Sequence, residues 1–335
     1  MTTKTRYFVV GSMLTLTIGL GVGLVAYSVG FSTSAFTREG GPAELQFVPA
    51  NASLIAYADV HDVMTSDLRQ KVRSAFPTKE DGQHEFQNQT GINIETDIDH
   101  VLVAIVPTGE ETGRMPGSPI VLARGQFDQV KIEALMREHG AQVEDYKGAR
   151  LVVGSAAEGK PSLSLAFLEP GLVAVGSHAL IRGAVDLKSG GSSIVANDEM
   201  MGLIHDLESG NAWAAGRFDA LTSRANLPDG VAQQLPAITL FSASANIDSG
   251  IRGTFRAESR DDASASSLRD VVRGFLALAR MQTSARPEFA SLLESLQLGG
   301  TGKTVALSFD LPPAMLDTLV SLSQHGHQGT LAPQQ

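Results

Sequence analysis

Residues 163–187 read LSLAFLEPGLVAVGSHALIRGAVDL, and this stretch contains two apolar runs, a tight reversal and a longer apolar segment. The runs 163–168 and 172–176 have the length of strands, and Glu169-Pro-Gly171 separates them. Proline and glycine supply the backbone angles that a hairpin turn requires. The segment 178–187 has the pattern of a helix. The stretch therefore predicts an antiparallel strand pair followed by a helix.

The same order of elements recurs downstream. Residues 238–247 and 251–258 predict a second hairpin, turned at Asp248-Ser-Gly250, and residues 265–281 predict the helix after it. In both places a second helical segment then precedes a strand; the two segments are 197–209 and 286–298. The earlier part of the chain is related but looser, with predicted strands at 54–60, 100–106 and 119–127, a helix at 63–76 and a hairpin at 143–153.

A Phe-Asp pair at a strand-to-helix junction occurs three times at equal spacing. The pairs are Phe127-Asp128, Phe218-Asp219 and Phe309-Asp310. Hairpins and helix pairs in this order favour an α+β fold over a doubly wound parallel sheet, because strands and long helices do not alternate one for one. We therefore expect duplicated units, each an antiparallel-rich sheet with helices packed on one face.

The chain before these units carries no charged residue between Arg6 and Arg38. Residues 8–31 are mostly apolar and long enough to cross a bilayer as a helix. Lys4 and Arg6 precede the run, which predicts a cytoplasmic N-terminus and a main domain outside the bacterial inner membrane, periplasmic or extracellular. The alternative is a cleaved signal peptide, for which residues 33–35 supply small side chains.

One side of this apolar segment carries small residues, namely Gly19, Gly23, Ala26 and Gly30. Small residues let two membrane helices approach closely, so this face predicts a homodimer within the membrane. The predicted organisation is then an anchor at 1–37, a linker at 38–46, three α+β units at 47–160, 161–235 and 236–324, and a flexible tail at 325–335.

The composition excludes several classes of partner and chemistry. From Arg38 onward the chain holds 24 basic against 36 acidic side chains, so nucleic acid is not an expected partner. There is no cysteine, which excludes thiol catalysis, disulfides and thiolate metal sites. Trp213 lies in an apolar strand and is expected in the core.

Aspartates at predicted strand ends are the residues from which a chemical site would most readily be built. They are Asp59, Asp62, Asp128, Asp219 and Asp310, with His61 beside the first two. Carboxylates grouped at one sheet edge bind metals or act as acid and base. Aspartate before a helix is also a favoured N-cap, and a repeated fold repeats its caps. We therefore expect caps and assign no catalytic, cofactor or metal residue.

Residues 299–304, GGTGKT, resemble a phosphate-binding loop only in part. The first required glycine is replaced by Gln297, and a predicted helix precedes the motif where a strand is required. The motif is expected to be a helix C-cap and turn. No GxSxG sequence marks a nucleophilic serine.

Four stretches resemble a group of uncharacterised bacterial exported proteins, and the resemblance covers roughly residues 48–217. They are FVPANASLIAYADVHDVMTSDLRQ, TGINIETDIDHVLVAIV, ARGQFDQVKIEALMREHGAQVEDYKGARL and LAFLEPGLVAVGSHALIRGAVD. The resemblance implies a location in the bacterial envelope and assigns no functional residue.

Together these patterns predict a single-pass membrane-anchored protein whose outer domain binds or scaffolds, with the ligand unknown. Two alternatives remain. One is a metal-assisted envelope hydrolase that uses the strand-end aspartates. The other is a carrier of a lipid or another apolar ligand, since sheets covered by helices can enclose an apolar pocket.

Overall fold

The computed structural model describes residues 42–75, 87–88, 91–107, 117–154, 163–207, 210–218, 238–282 and 290–313. The strands in these ranges are β1 (Leu54–Asp59), β2 (Ile98–Val106), β3 (Ser118–Gly125), β4 (Gln142–Tyr146), β5 (Ala149–Val153), β6 (Leu163–Glu169), β7 (Leu172–Ser177), β8 (Ala212–Arg217), β9 (Ile238–Ile247), β10 (Ile251–Ser259), β11 (Gln297–Gly299) and β12 (Thr304–Leu311).

Eight α-helices and two 3-10 helices accompany the strands in the same ranges. The α-helices are α1 (Val60–Thr65), α2 (Asp67–Ala75), α3 (Ile94–Asp97), α4 (Gln129–Glu138), α5 (His178–Lys188), α6 (Asp198–His205), α7 (Asp262–Gln282) and α8 (Ala290–Ser295). The 3-10 helices are Ala43–Phe47 and Ile194–Ala196.

All twelve strands belong to one sheet, in the order β11-β12-β10-β9-β8-β1-β2-β3-β7-β6-β5-β4. Every neighbouring pair is antiparallel. The antiparallel-rich α+β prediction is confirmed at this level. The sheet runs without a break across the predicted unit boundaries, because β8 pairs with β1 on one side and with β9 on the other. The duplication of units stays a prediction.

The hairpin of residues 163–177 forms as its sequence indicates. β6 and β7 pair through Leu165 and Val175, and Gly171 turns the chain with a φ of 73°. A Cβ at Gly171 would lie 2.8 Å from the carbonyl oxygen of Gly125, so the turn also needs glycine for space. β7 then pairs with β3, which places this hairpin inside the sheet and not at its border.

The sheet has helices on both faces. We call the face that carries Tyr57, Leu102 and Trp213 the front face; helices α5 and α6 share its apolar core. The back face carries Ala58 and Val101, and α1, α7 and α8 share the core there. The expectation of helices on one face therefore needs correction for the sheet as a whole. The physical reason is that the central strands are apolar on both sides: five of the six residues of β1 are buried.

Two predicted helices have different bounds in the structure. The helix expected at 63–76 is divided at Ser66, whose hydroxyl donates to the carbonyl of Val63 and accepts from the amide of Arg69. This arrangement ends α1 and caps α2. The helix expected at 286–298 ends at Ser295, and residues 297–299 form β11 instead.

The strand register defines two opposite ends of the sheet. We call the end marked by Asp59, Gly125, Ile251 and Leu311 the lower edge, because β1, β3 and β12 all finish there. The register supports this grouping: Ile251 pairs with Leu311, and Gly125 pairs with Ile98 at the start of β2. No helix in the ranges described here is long and apolar enough to span a membrane. Residues 8–31 and their small-residue face lie outside these ranges.

Candidate functional site

Four polar side chains form a partly buried cluster on the front face near the lower edge. Glu44 accepts a hydrogen bond from Nε of Arg124, and its Oε1 lies 3.1 Å from Nε2 of His100. A second nitrogen of Arg124 donates to Glu169 over 3.2 Å. We call these four residues the Glu44 cluster. Glu44 itself is only 2% exposed.

Local structure places Glu44, His100 and Arg124 within the Glu44 cluster. Glu44 lies on the first 3-10 helix, whose Leu45 and Phe47 are both 1% exposed in the front core. His100 and Arg124 are register partners on β2 and β3, so their side chains point to the same face. Residues 43–46, which were predicted as the end of the linker, are therefore held to the sheet both by apolar burial and by the contacts of Glu44.

The electrostatics of Glu44 are set by competition between burial and its partners. Burial raises the pKa of the carboxyl, but the contacts with His100 and Arg124 outweigh it and lower the pKa from 4.5 to about 2. The group is therefore ionised at neutral pH. A buried carboxylate is tolerated only when it is paired and hydrogen-bonded, which is the arrangement seen here.

An aromatic group adjoins this cluster. The rings of Tyr57 and Trp213 stack with their centroids 5.6 Å apart, and the His100 ring lies 5.4 Å from that of Tyr57. Burial, and then the charge of Asp59, raises the pKa of the Tyr57 hydroxyl. The phenol is thus neutral at physiological pH and does not act as a base. Trp213 is 2% exposed and belongs to the core, as its sequence context indicated.

The strand-end aspartates do not form one site. Asp128 accepts a hydrogen bond from the amide of Lys131 and caps α4. Asp59 precedes α1 and is 1% exposed, but its side chain makes no capping hydrogen bond. Asp310 lies within β12, exposed and opposite Arg252, so it is not a cap. Asp62 is exposed on α1 beside His61. Asp219 lies outside the described ranges.

The sheet order also keeps these aspartates apart. Asp59, Asp128 and Asp310 follow or end strands that finish at the lower edge, but β3 is two strands from β1 and β12 is four. At about 4.8 Å per strand these offsets are about 10 and 19 Å. Within the part of the chain that the structure describes, no group of three or more His, Asp or Glu side chains could hold a metal ion.

A cleft of about 610 Å³ opens at the lower edge beside α4. Its walls are formed by residues that include Gly91, Asp97, Gly125, Phe127, Asp128 and Lys131. Both carboxylates are engaged locally, since Asp97 accepts from the amide of Asn93 and Asp128 caps its helix. Glycine backbone and polar side chains form much of the wall. The cleft therefore differs from the deep apolar pocket that a lipid carrier requires.

Residues 299–304 connect β11 to β12 as a tight turn. Gly300 and Gly302 have φ values of 91° and 55°, and the two flanking strands pair with each other. A phosphate-binding loop needs a strand before it and a helix after it, so this geometry excludes that function. The expected helix C-cap is also wrong, because β11 separates the motif from α8.

Comparison with known proteins provides little further information. No family model matches the chain, and no curated protein matches it. A solved structure titled "Structure of crystal form I of TP0453" is similar at 8% identity, covering 83% of this chain and 96% of that chain, with a TM-score of 0.44. A likeness at this level carries no argument about function.

Proposed function

We propose that this chain is a single-pass envelope protein of bacteria whose outer α+β domain binds or scaffolds other molecules. Residues 8–31 hold it in the inner membrane, the N-terminus stays in the cytoplasm, and the sheet lies on the far side. The observation that carries the proposal is the Glu44 cluster, which holds the end of the predicted linker to the body of the sheet, shortly after the predicted anchor.

A scaffold at a membrane needs a domain that is held in a defined position relative to its anchor. A free polar linker would let the domain tumble relative to the bilayer. The burial of Leu45 and Phe47 and the ion pairs of Glu44 restrict that freedom from residue 43 onward. The sheet is also broad, since twelve strands at about 4.8 Å spacing extend about 50 Å. The predicted duplication of units and the resemblance to exported bacterial proteins agree with this proposal.

Topology tests the membrane part of the proposal. The chain has no cysteine, so a single introduced cysteine can be labelled without background. In spheroplasts a membrane-impermeant thiol reagent is expected to label Leu163→Cys, which is 56% exposed, but to label Thr3→Cys only after lysis. Recovery of a shortened chain in the soluble fraction would show a cleaved signal peptide and refute the anchor.

Partner capture tests the scaffolding part. Cross-linking in intact cells followed by purification of the full chain is expected to recover the same protein partners in repeated preparations. The matched control is the Glu44→Gln variant, which keeps the proposed anchor but removes the carboxylate that holds residues 43–47 to the sheet. Failure to recover any reproducible partner with the native chain would contradict a scaffolding role.

The small-residue face of residues 8–31 extends the proposal to a membrane dimer. Paired substitutions Gly19→Ile and Gly23→Ile are expected to reduce cross-linked dimer in membranes, because bulky side chains keep the helices apart. Leu20→Ile, on another side of the helix, is the control and should leave the dimer unchanged. An equal dimer fraction in both variants would refute pairing through this face.

A further inference from the structure

Exposed apolar side chains concentrate at the lower edge of the sheet. Among the described residues, six large apolar side chains are exposed, and four of them belong to this end of the sheet: Val130 at 79%, Phe275 at 36%, Leu278 at 57% and Met281 at 75%. The other two are Leu163 at 56% and Val195 at 51%. Val130 is the second residue of α4, which begins four residues after β3 ends at this edge. The other three lie in the second half of α7, which packs beside the same edge.

The packing of α7 establishes its direction. Its first half contacts Ala257 and Val305, near the upper ends of β10 and β12. Its second half buries Leu276 in the core that contains Ile251 and Leu311, at the lower ends of those strands. A helix of 21 residues is about 31 Å long, which matches the length of the strands beneath it. The last turns of α7 therefore lie at the lower edge.

The apolar surface of α7 is wider in this second half than core packing requires. Leu276 fills the core, and Phe275, Leu278 and Met281 add apolar positions three residues apart that are exposed. In the first half the exposed positions are polar, such as Ser266, Ser267 and Asp270. The first half of α7 is therefore apolar mainly on the side that packs on the sheet, whereas its second half also exposes apolar side chains.

The chain enters the described structure at this same edge. Pro42 is two residues from Glu44, and Glu44 contacts Arg124, which lies beside Gly125 at the end of β3. Residue 31, where the apolar run ends, is 11 residues before Pro42. An extended chain spans at most about 3.6 Å per residue, so the membrane surface lies within about 40 Å of the lower edge.

We infer that the lower edge rests on the phospholipid bilayer, with Phe275, Leu278 and Met281 at the end of α7 inserted among the headgroups. This inference rests on the proposed membrane anchor and adds the orientation of the domain. Amphipathic helices bind membrane interfaces through apolar area and basic side chains; Arg273 lies on the same stretch of α7, but its guanidinium pairs with Asp270 at 2.8 Å. Asp248 and Asp310 also lie at this edge. Apolar contact therefore carries the attachment, and it is expected to resist added salt.

Nitroxide quenching in vesicles tests the orientation with the full chain. Single-cysteine variants Leu278→Cys and Met281→Cys carry an environment-sensitive fluorophore, and the protein is reconstituted into phosphatidylcholine vesicles that contain nitroxide-labelled lipid. Leu163→Cys is the matched control, because it is 56% exposed but lies at the opposite end of the strands. Quenching is expected to be several-fold stronger at residues 278 and 281 than at residue 163.

The outcomes separate this inference from the proposal beneath it. Protein that fails to float with the vesicles refutes both the anchor and the orientation. Protein that floats, with equal quenching at all three positions, refutes the orientation alone. A blue-shifted but unquenched probe at residue 281 would place protein over the end of α7 and also overturn the inference. The double variant Leu278→Asp/Met281→Asp changes two exposed positions, so the protein should still fold and float with the vesicles. A fluorophore attached at Val130→Cys in this variant should no longer be quenched by the nitroxide-labelled lipid.

Discussion

Oε1 of Glu44 lies 3.1 Å from Nε2 of His100, and this contact joins the first described turn of the chain to the second strand of the sheet. Arg124, which lies on the third strand and 80 residues from Glu44 in sequence, also donates a hydrogen bond to the Glu44 carboxylate. Residues 43–47 are therefore part of the folded domain. Measurements of stability can test this directly.

Replacing Glu44 by Gln is expected to destabilise the domain by about 2–4 kcal/mol. The substitution removes one partner of a buried ion pair and leaves Arg124 and His100 without their carboxylate. Urea unfolding followed by the fluorescence of Trp213 measures the change. Glu138→Gln, at an exposed position of α4, is the control and should stay within about 0.5 kcal/mol of the native chain.

The contribution of Glu44 should disappear in acid. Its pKa is lowered in the folded state from 4.5 to about 2, so the folded form binds this proton less readily than the unfolded form. The stabilisation is therefore complete above about pH 4.5 and is lost as the pH falls toward 2. The difference in unfolding free energy between the native chain and Glu44→Gln should shrink over this interval. A difference that stays constant with pH would contradict the ionised state of Glu44.

Asp128 and Asp310 occupy equivalent Phe-Asp pairs but should respond differently to mutation. Asp128→Ala removes the N-cap of α4 and is expected to cost about 1 kcal/mol, whereas Asp128→Asn should keep most of the stability. Asp310→Ala changes an exposed strand residue and should have an effect below about 0.5 kcal/mol. Thermal or urea unfolding of the three variants measures this. Equal losses at both positions would contradict the distinction.

Two glycines give a paired test of backbone packing. A Cβ at Gly125 would lie 2.1 Å from the carbonyl oxygen of Asp97, so Gly125→Ala is expected to destabilise by about 1–3 kcal/mol. Gly274, in the middle of α7, has open space around the same position. Gly274→Ala should therefore stabilise by about 0.5–1 kcal/mol, because alanine favours the helix. Opposite signs in the unfolding free energy are the expected result, and matching signs would refute the close approach at Gly125.

Elements whose hydrogen bonds close within a few residues were predictable. The hairpin of β6 and β7, the hairpin of β9 and β10, and the helices α5 and α6 all form near their predicted positions. In each case turn residues and apolar spacing act locally. The division of one predicted helix at Ser66 was missed because a single serine, at once donor and acceptor, ended one helix and began the next.

The repeated Phe-Asp pair shows that a local sequence pattern does not predict the direction of a strand in the sheet. Equal spacing suggested equivalent junctions, but β8 runs opposite to β3 and β12 in the sheet. Phe218 therefore packs against the cluster of Ala56, Ala214 and Phe241, and it lies at the upper end, away from the ends of the other two strands. Spacing along the chain contains no information about strand direction when the strands are brought together by pairings far apart in sequence.

The sequence by itself determined the hairpins, the helices that follow them and an apolar run long enough for a membrane anchor, because each depends on residues close along the chain. Only the tertiary structure decided that β8 joins β1 to β9 in one sheet, and that Glu44 meets His100 and Arg124. Those contacts depend on which apolar faces cover one another in the folded chain. A buried carboxylate becomes favourable only after that packing has brought its hydrogen-bonding and cationic partners within reach.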